Sequence, residues 1–186
     1  MSLAFRLGTV AFTMAMMALA LYILTAGILG RKIHWKSLSI FFVCAEVLQW
    51  AAMFLYLLYT VVTGQENMPS AVFDTVCYLL TALVLGALMT KVHRIPLLHT
   101  FTAAILCTFV VNTANTTMVH VVEEYSPLFD RQHFLAFVRL DVPYMLTVGV
   151  ALLVAAILKK SEFYRYFAAL FRSRARGVLT LVVCLA

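Results

Sequence analysis

Glu46 is the one acidic side chain set well inside an apolar run of this sequence. An ionisable group in hydrocarbon costs ~2.5–3.5 kcal/mol on insertion scales, so it is expected inside a helix bundle, where it can bind, couple or carry a proton. Gln49 follows three residues later, on the same helical face. In a later apolar run Thr108, Asn112 and Asn115 are spaced four and three apart and also share a face. At 1.5 Å per residue, Thr108 and Gln49 both lie about 16 Å from the basic ends of their runs. These five residues are expected to form a polar seam leading from mid-membrane outward. Such a seam serves as interhelical hydrogen-bond glue, as a ligand-coupling path, or as an ion or proton path.

A second cluster follows. His120, Glu123 and Glu124 fall at i, i+3 and i+4, and Asp130 and His133 repeat the three-residue gap. Two imidazoles and three carboxylates suit a divalent metal, or a cationic or peptide ligand. The spacing matches neither H-E-x-x-H nor H-x-x-E-H, because Glu124 stands where the second histidine would be. A solvated acidic loop paired with Arg131 and Arg139 is the plainer reading, and the metal stays open. No G-x-S-x-G, Walker A or dinucleotide glycine pattern is present. No nucleophile and base can be assembled from spacing, so enzymatic activity stays undecided. His34, His93, His99, His120 and His133 all sit at the edges of apolar runs, which speaks against a membrane haem. No cofactor is expected. Cys44, Cys77, Cys107 and Cys184 lie within apolar runs with no C-x-x-C pair, as small packing residues do.

The elements that must position these groups are membrane helices. The chain is 64% hydrophobic and 12% charged, with mean hydropathy +0.98. A soluble domain is about half apolar and a quarter charged. One polytopic domain over residues 1–186 is therefore expected, an all-α membrane protein with five full transmembrane helices. The spans run about 7–30, 38–62, 71–90, 97–120 and 143–158. Pro96 stands where a helix can start.

Charge sets the orientation. Arg31, Lys32, Lys36, Lys91, Arg94 and six residues after Leu158 fall on one side, and Arg6, Arg131 and Arg139 on the other. The positive-inside rule then places the N-terminus outside a cell membrane. The net charge of +6 follows from this topology and does not point to nucleic acid. After the fifth span, Phe163, Tyr166, Phe167, Leu170 and Phe171 recur at helical spacing among basic residues. A cytoplasmic amphipathic helix on the bilayer surface is expected over about 159–176. A new apolar run, 178–186, is too short to span and reads as a truncated sixth span.

This ending carries a resemblance. A fifth span, the basic aromatic stretch Tyr164-Arg165-Tyr166-Phe167 through Phe171-Arg172-Ser173-Arg174, and then a new apolar run resembles the multi-span sensor region of Firmicute GHKL-type membrane histidine kinases. The resemblance implies a sensor that detects an extracytoplasmic peptide or small molecule and couples it to a cytoplasmic effector. Within the lipid bilayer, a homodimer or a partner membrane subunit stays open. A small transporter, or a subunit of a larger membrane complex, is the competing expectation.

Overall fold

The computed structural model describes residues 3–63, 70–125, 142–171 and 173–185. Seven α-helices cover nearly all of them, with no strand among the described residues. They are α1 Leu3–Ile28, α2 Trp35–Thr63, α3 Ser70–His93, α4 Leu97–Tyr125, α5 Val142–Lys160, α6 Phe163–Leu170 and α7 Arg174–Leu185. Among the described residues, four stretches are long and apolar enough to cross a membrane: Ala11–Ile28, Val76–His93, Leu97–Val122 and Val142–Lys160.

Helix α1 is the centre of the bundle. It packs along α5 and touches α2 and α4, while α4 packs on α3 and α5 and carries α7. From Ala20 to Ala26 every α1 side chain is buried. A helix that is apolar all round is one that other helices surround. The same helix approaches α5 closely at Gly27, where a Cβ would stand 2.9 Å from the Ala155 Cβ. Helices α3 and α4 approach each other similarly at Gly86, where a Cβ would meet the Phe101 Cα at 3.0 Å. Small residues at such crossings let backbones close up in a medium where the hydrophobic effect gives no net pull. By contrast α2 buries only Ser37, Phe41 and Ala52 among its described side chains and exposes Val43, Val47, Phe54 and Val61.

Two turns tie the bundle at one end. Helix α1 closes with Gly30 at φ 63°, Gly30 N–H donating to the Gly27 carbonyl at 3.1 Å and Arg31 N–H to that of Ala26 at 2.8 Å. This is a Schellman ending, which satisfies carbonyls left over at the helix terminus. Helices α3 and α4 are joined by Arg94, Ile95 and Pro96 alone. The Pro96 carbonyl accepts from His99 and Thr100 at 3.0 and 3.2 Å, so α4 begins where the proline allows. A Thr90–Thr100 hydroxyl contact of 2.7 Å bridges the hairpin. Arg31, Lys32, Lys36, Lys91, Arg94, Lys159 and Lys160 all lie at this end, the basic end of the bundle.

The single amphipathic helix expected over 159–176 does not form. Helix α5 runs on through Lys160, and Glu162 at φ 54° breaks the chain direction. The short helix α6 follows and ends at Phe171. Ser173 then starts α7, its hydroxyl accepting from the Arg176 N–H at 3.3 Å, the role of an N-cap. Apolar periodicity continues across both breaks, which is why the stretch reads as one helix from sequence. The apolar face also divides differently. Phe167 is buried, whereas Tyr166 is 73% exposed. Phe163, Phe167 and Phe171 form a ladder that meets the His99 ring. The α6 stripe is therefore docked on the bundle as well as available to lipid. Helix α7 has 12 residues, about 18 Å of helix, and leans on α4.

Candidate functional site

A cavity of about 200 Å³ opens among the five long helices. Helix length explains why these residues meet. Thr13 lies 15 residues from Ile28, Gln49 14 from Trp35, and Tyr78 15 from His93. Asn112 lies 15 residues from Leu97 and Tyr144 16 from Lys160. Each therefore stands about 21–24 Å from the basic end of its own helix. Five helices bring a polar side chain to one level. Met14, Met17, Ala18, Leu21 and Ala45 supply apolar wall, and methionine gives such a wall an adaptable surface.

Helix α4 is the hub. The Asn112 Oδ1 accepts from the Tyr78 hydroxyl of α3 at 3.1 Å. The Asn115 Oδ1 accepts from Thr147 of α5 at 3.4 Å, a long secondary contact, because the Thr147 hydroxyl also reaches the Pro143 carbonyl at 2.9 Å. Both asparagines thus spend their carbonyl oxygens on neighbouring helices. An amide carries two N–H donors besides, and no described residue accepts from either Nδ2. Gln49, at the rim, makes no side-chain hydrogen bond with a described residue. The cavity thus offers three carboxamides with donors to spare, flanked by the Tyr78 and Tyr144 phenols. No charged side chain lines it.

No family model, curated protein or solved structure matches this chain.

Of the five seam residues, Gln49, Asn112 and Asn115 share this cavity and Glu46 and Thr108 are not part of its lining. Glu46 turns to its own helix, where its Oε2 accepts from Trp50 Nε1 at 3.2 Å. Its Oε1 is buried without a partner. The Thr108 hydroxyl bonds back to the Ala104 carbonyl at 2.8 Å, the usual local satisfaction of threonine within a helix. Sharing a helical face with Asn112 did not make it part of the site.

The cluster of His120, Glu123, Glu124, Asp130 and His133 is only partly in view. His120 and Glu124 are exposed at the far end of α4, whereas Asp130 and His133 lie outside the described residues, as does the Glu123 side chain. Among the described residues no three His, Cys, Asp or Glu side chains gather as metal donors.

Tyr78, Thr81, Thr13, Met14, Met17 and Tyr144 also line the cavity, and neither charge nor spacing marks them as a site in the sequence. The observed helix ends reveal the alignment: Thr13 stands 15 residues from Ile28 and Tyr78 15 from His93, as Asn112 does from Leu97.

Proposed function

We propose that this chain is a membrane-embedded sensor domain whose cavity receives an uncharged, carbonyl-rich ligand from the extracytoplasmic side. The observation that carries the reading is the convergence of Gln49, Asn112 and Asn115 amides in an otherwise apolar, charge-free cavity. Spare N–H donors match carbonyl oxygens, and methionine and alanine walls match apolar side chains, so a short hydrophobic peptide or small amide fits best. An ionised ligand would be desolvated there without a counter-charge.

The proposal takes α2, 29 residues long, as the fifth span, since about 44 Å of helix exceeds the ~30 Å hydrocarbon core. It places the basic end in the cytoplasm and the N-terminus outside, on the strength of the basic-residue bias. It keeps the likeness to GHKL-type kinase sensor regions as its expectation that the bundle drives a cytoplasmic effector. A ligand drives such a bundle only by binding its two arrangements unequally. A second copy or a partner subunit would pair through lipid-facing surface.

The test is binding by the 186-residue chain in nanodiscs. Short apolar linear and cyclic peptides and N-acyl amides are screened by tryptophan fluorescence, since Trp50 adjoins Gln49. Saturable binding of uncharged compounds, lost when the asparagines are replaced, is the expected result. Preferential binding of charged compounds would refute the reading.

A small transporter or membrane-complex subunit is the second reading, and the buried, unpartnered Oε1 of Glu46 favours it. Glu46→Gln separates the two. Because Glu46 lies outside the cavity lining, the sensor reading expects ligand affinity to change less than about twofold on this substitution, under 0.5 kcal/mol. A fall of about tenfold, or loss of a measurable flux, would transfer the function to Glu46.

A further inference from the structure

A second cavity, of about 400 Å³, lies at the basic end, walled by the α1–α2 turn, the α3–α4 turn and α6. It brings together two guanidinium side chains distant in sequence, Arg31 and Arg94. Neither forms an ion pair with a described acidic side chain. Glu162, the acid in the neighbouring turn, is held by Arg165 at 2.6 Å. No acidic side chain lines the cavity.

His99 forms another wall. Its ring is clamped, stacked on Phe171 at 4.3 Å between centroids and tilted against Phe167 at 5.1 Å. Clamped in this way, its Nε2 is buried and has no hydrogen-bond partner. A buried nitrogen left unpaired costs free energy that a bound acceptor or donor would recover. Across the cavity stands Tyr164, whose hydroxyl accepts from Arg165 Nε at 3.3 Å and keeps its own proton to give. The first turn of α4 opens on the same space, with the positive end of its dipole.

We propose that this cavity binds a phosphoryl group. Two guanidinium forks, an imidazole and a phenol present more directed donors than the two oxygens of a carboxylate can use, and a tetrahedral phosphate can use them. The volume leaves room for the organic group that the phosphate esterifies. A topological excess of Arg and Lys accounts for positive charge at this end. It does not account for a cavity that joins two turns, nor for an imidazole fixed with its nitrogen unpaired. The source is either the headgroup of an anionic phospholipid or a soluble phosphate compound. The site is separate from the outer cavity and does not depend on the sensor reading.

The test uses the 186-residue chain in phosphatidylcholine nanodiscs. Thermal stability is followed while phosphatidylglycerol is added to the bilayer and, separately, while inorganic phosphate is added to the buffer. Protection by phosphatidylglycerol alone identifies a lipid headgroup. Protection by inorganic phosphate identifies a soluble source. In the protecting arm, Arg31→Gln with Arg94→Gln is expected to weaken apparent affinity about tenfold or more. Lys32→Gln with Lys36→Gln, equal in charge removed but outside the cavity lining, should change it less than about twofold. His99→Phe keeps the stack and removes the nitrogen, and should weaken affinity several-fold in a folded protein. Protection by neither addition would overturn the proposal. So would equal losses from the lysine pair and the arginine pair, because diffuse surface charge would then suffice.

Discussion

Gly30→Ala is expected to lower the unfolding free energy by roughly 2–4 kcal/mol. Two effects add. At φ 63° an L side chain is held in the left-handed region, which costs ~1–2 kcal/mol. A Cβ there would also stand 2.5 Å from the Tyr164 Cγ and 2.9 Å from its Cβ. Rotation about χ1 can swing the Cγ away but leaves the Cβ in place, so α6 must shift. Forced overpacking of this kind costs typically ~1–3 kcal/mol. The two effects can be separated. Tyr164→Ala removes the ring but leaves the backbone conformation untouched. The double variant should therefore be less destabilised than the two single losses added, by about 1 kcal/mol. Denaturation in micelles measures all four proteins. A Gly30→Ala loss within about 0.5 kcal/mol of the parent would contradict both the turn and the contact.

Replacing Asn112 and Asn115 together by leucine is expected to weaken ligand binding roughly thirtyfold or more while leaving the bundle folded. The asymmetry comes from what each amide group does. The carbonyl oxygens make one contact of 3.1 Å and one of 3.4 Å. Polar contacts between membrane helices average ~0.6 kcal/mol, so losing both costs about 1 kcal/mol of stability. The amide donors facing the cavity would leave two ligand carbonyls unpaired in an apolar wall, at ~1–3 kcal/mol each. Fluorescence titration and a melting curve on the same preparation read both numbers. A large drop in melting temperature with unaltered affinity would make the asparagines helix glue and nothing more.

Much of the architecture is legible in residue order. Helix α4 starts behind Pro96 and the apolar runs become the long helices, because a helix that satisfies its own backbone is the solution an apolar medium allows. Helix ends are less legible. Helix α4 extends to Tyr125 and α3 to His93, beyond the apolar runs, because backbone hydrogen bonding does not stop where hydropathy falls. The division at Glu162 has no composition signal, since glutamate is an ordinary helix former placed here in a left-handed conformation.

The site shows the same split. Gln49, Asn112 and Asn115 are visible as polar groups within apolar runs. Glu46 and Thr108 look equally suitable, but each has a hydrogen-bond partner within its own helix, and only the rotation of the helices decides which way a side chain faces. That rotation is set by close crossings such as Gly27 on Ala155 and Gly86 on Phe101, where the sequence shows a glycine but not its neighbour.

The docking of α6 has a mechanical consequence. Tyr164 rests against the last turn of α1, and Phe167 and Phe171 rest against His99 in the first turns of α4. A helix pinned at one point can swivel, and one merely adsorbed on lipid can drift. Pinned at two, α6 is a tie-bar between the ends of two helices that both border the cavity of Asn112 and Asn115. Spreading those ends must break one of the two fastenings. A displacement of α1 relative to α4 that began some 20 Å away would have to tilt α6 or undo one of these contacts.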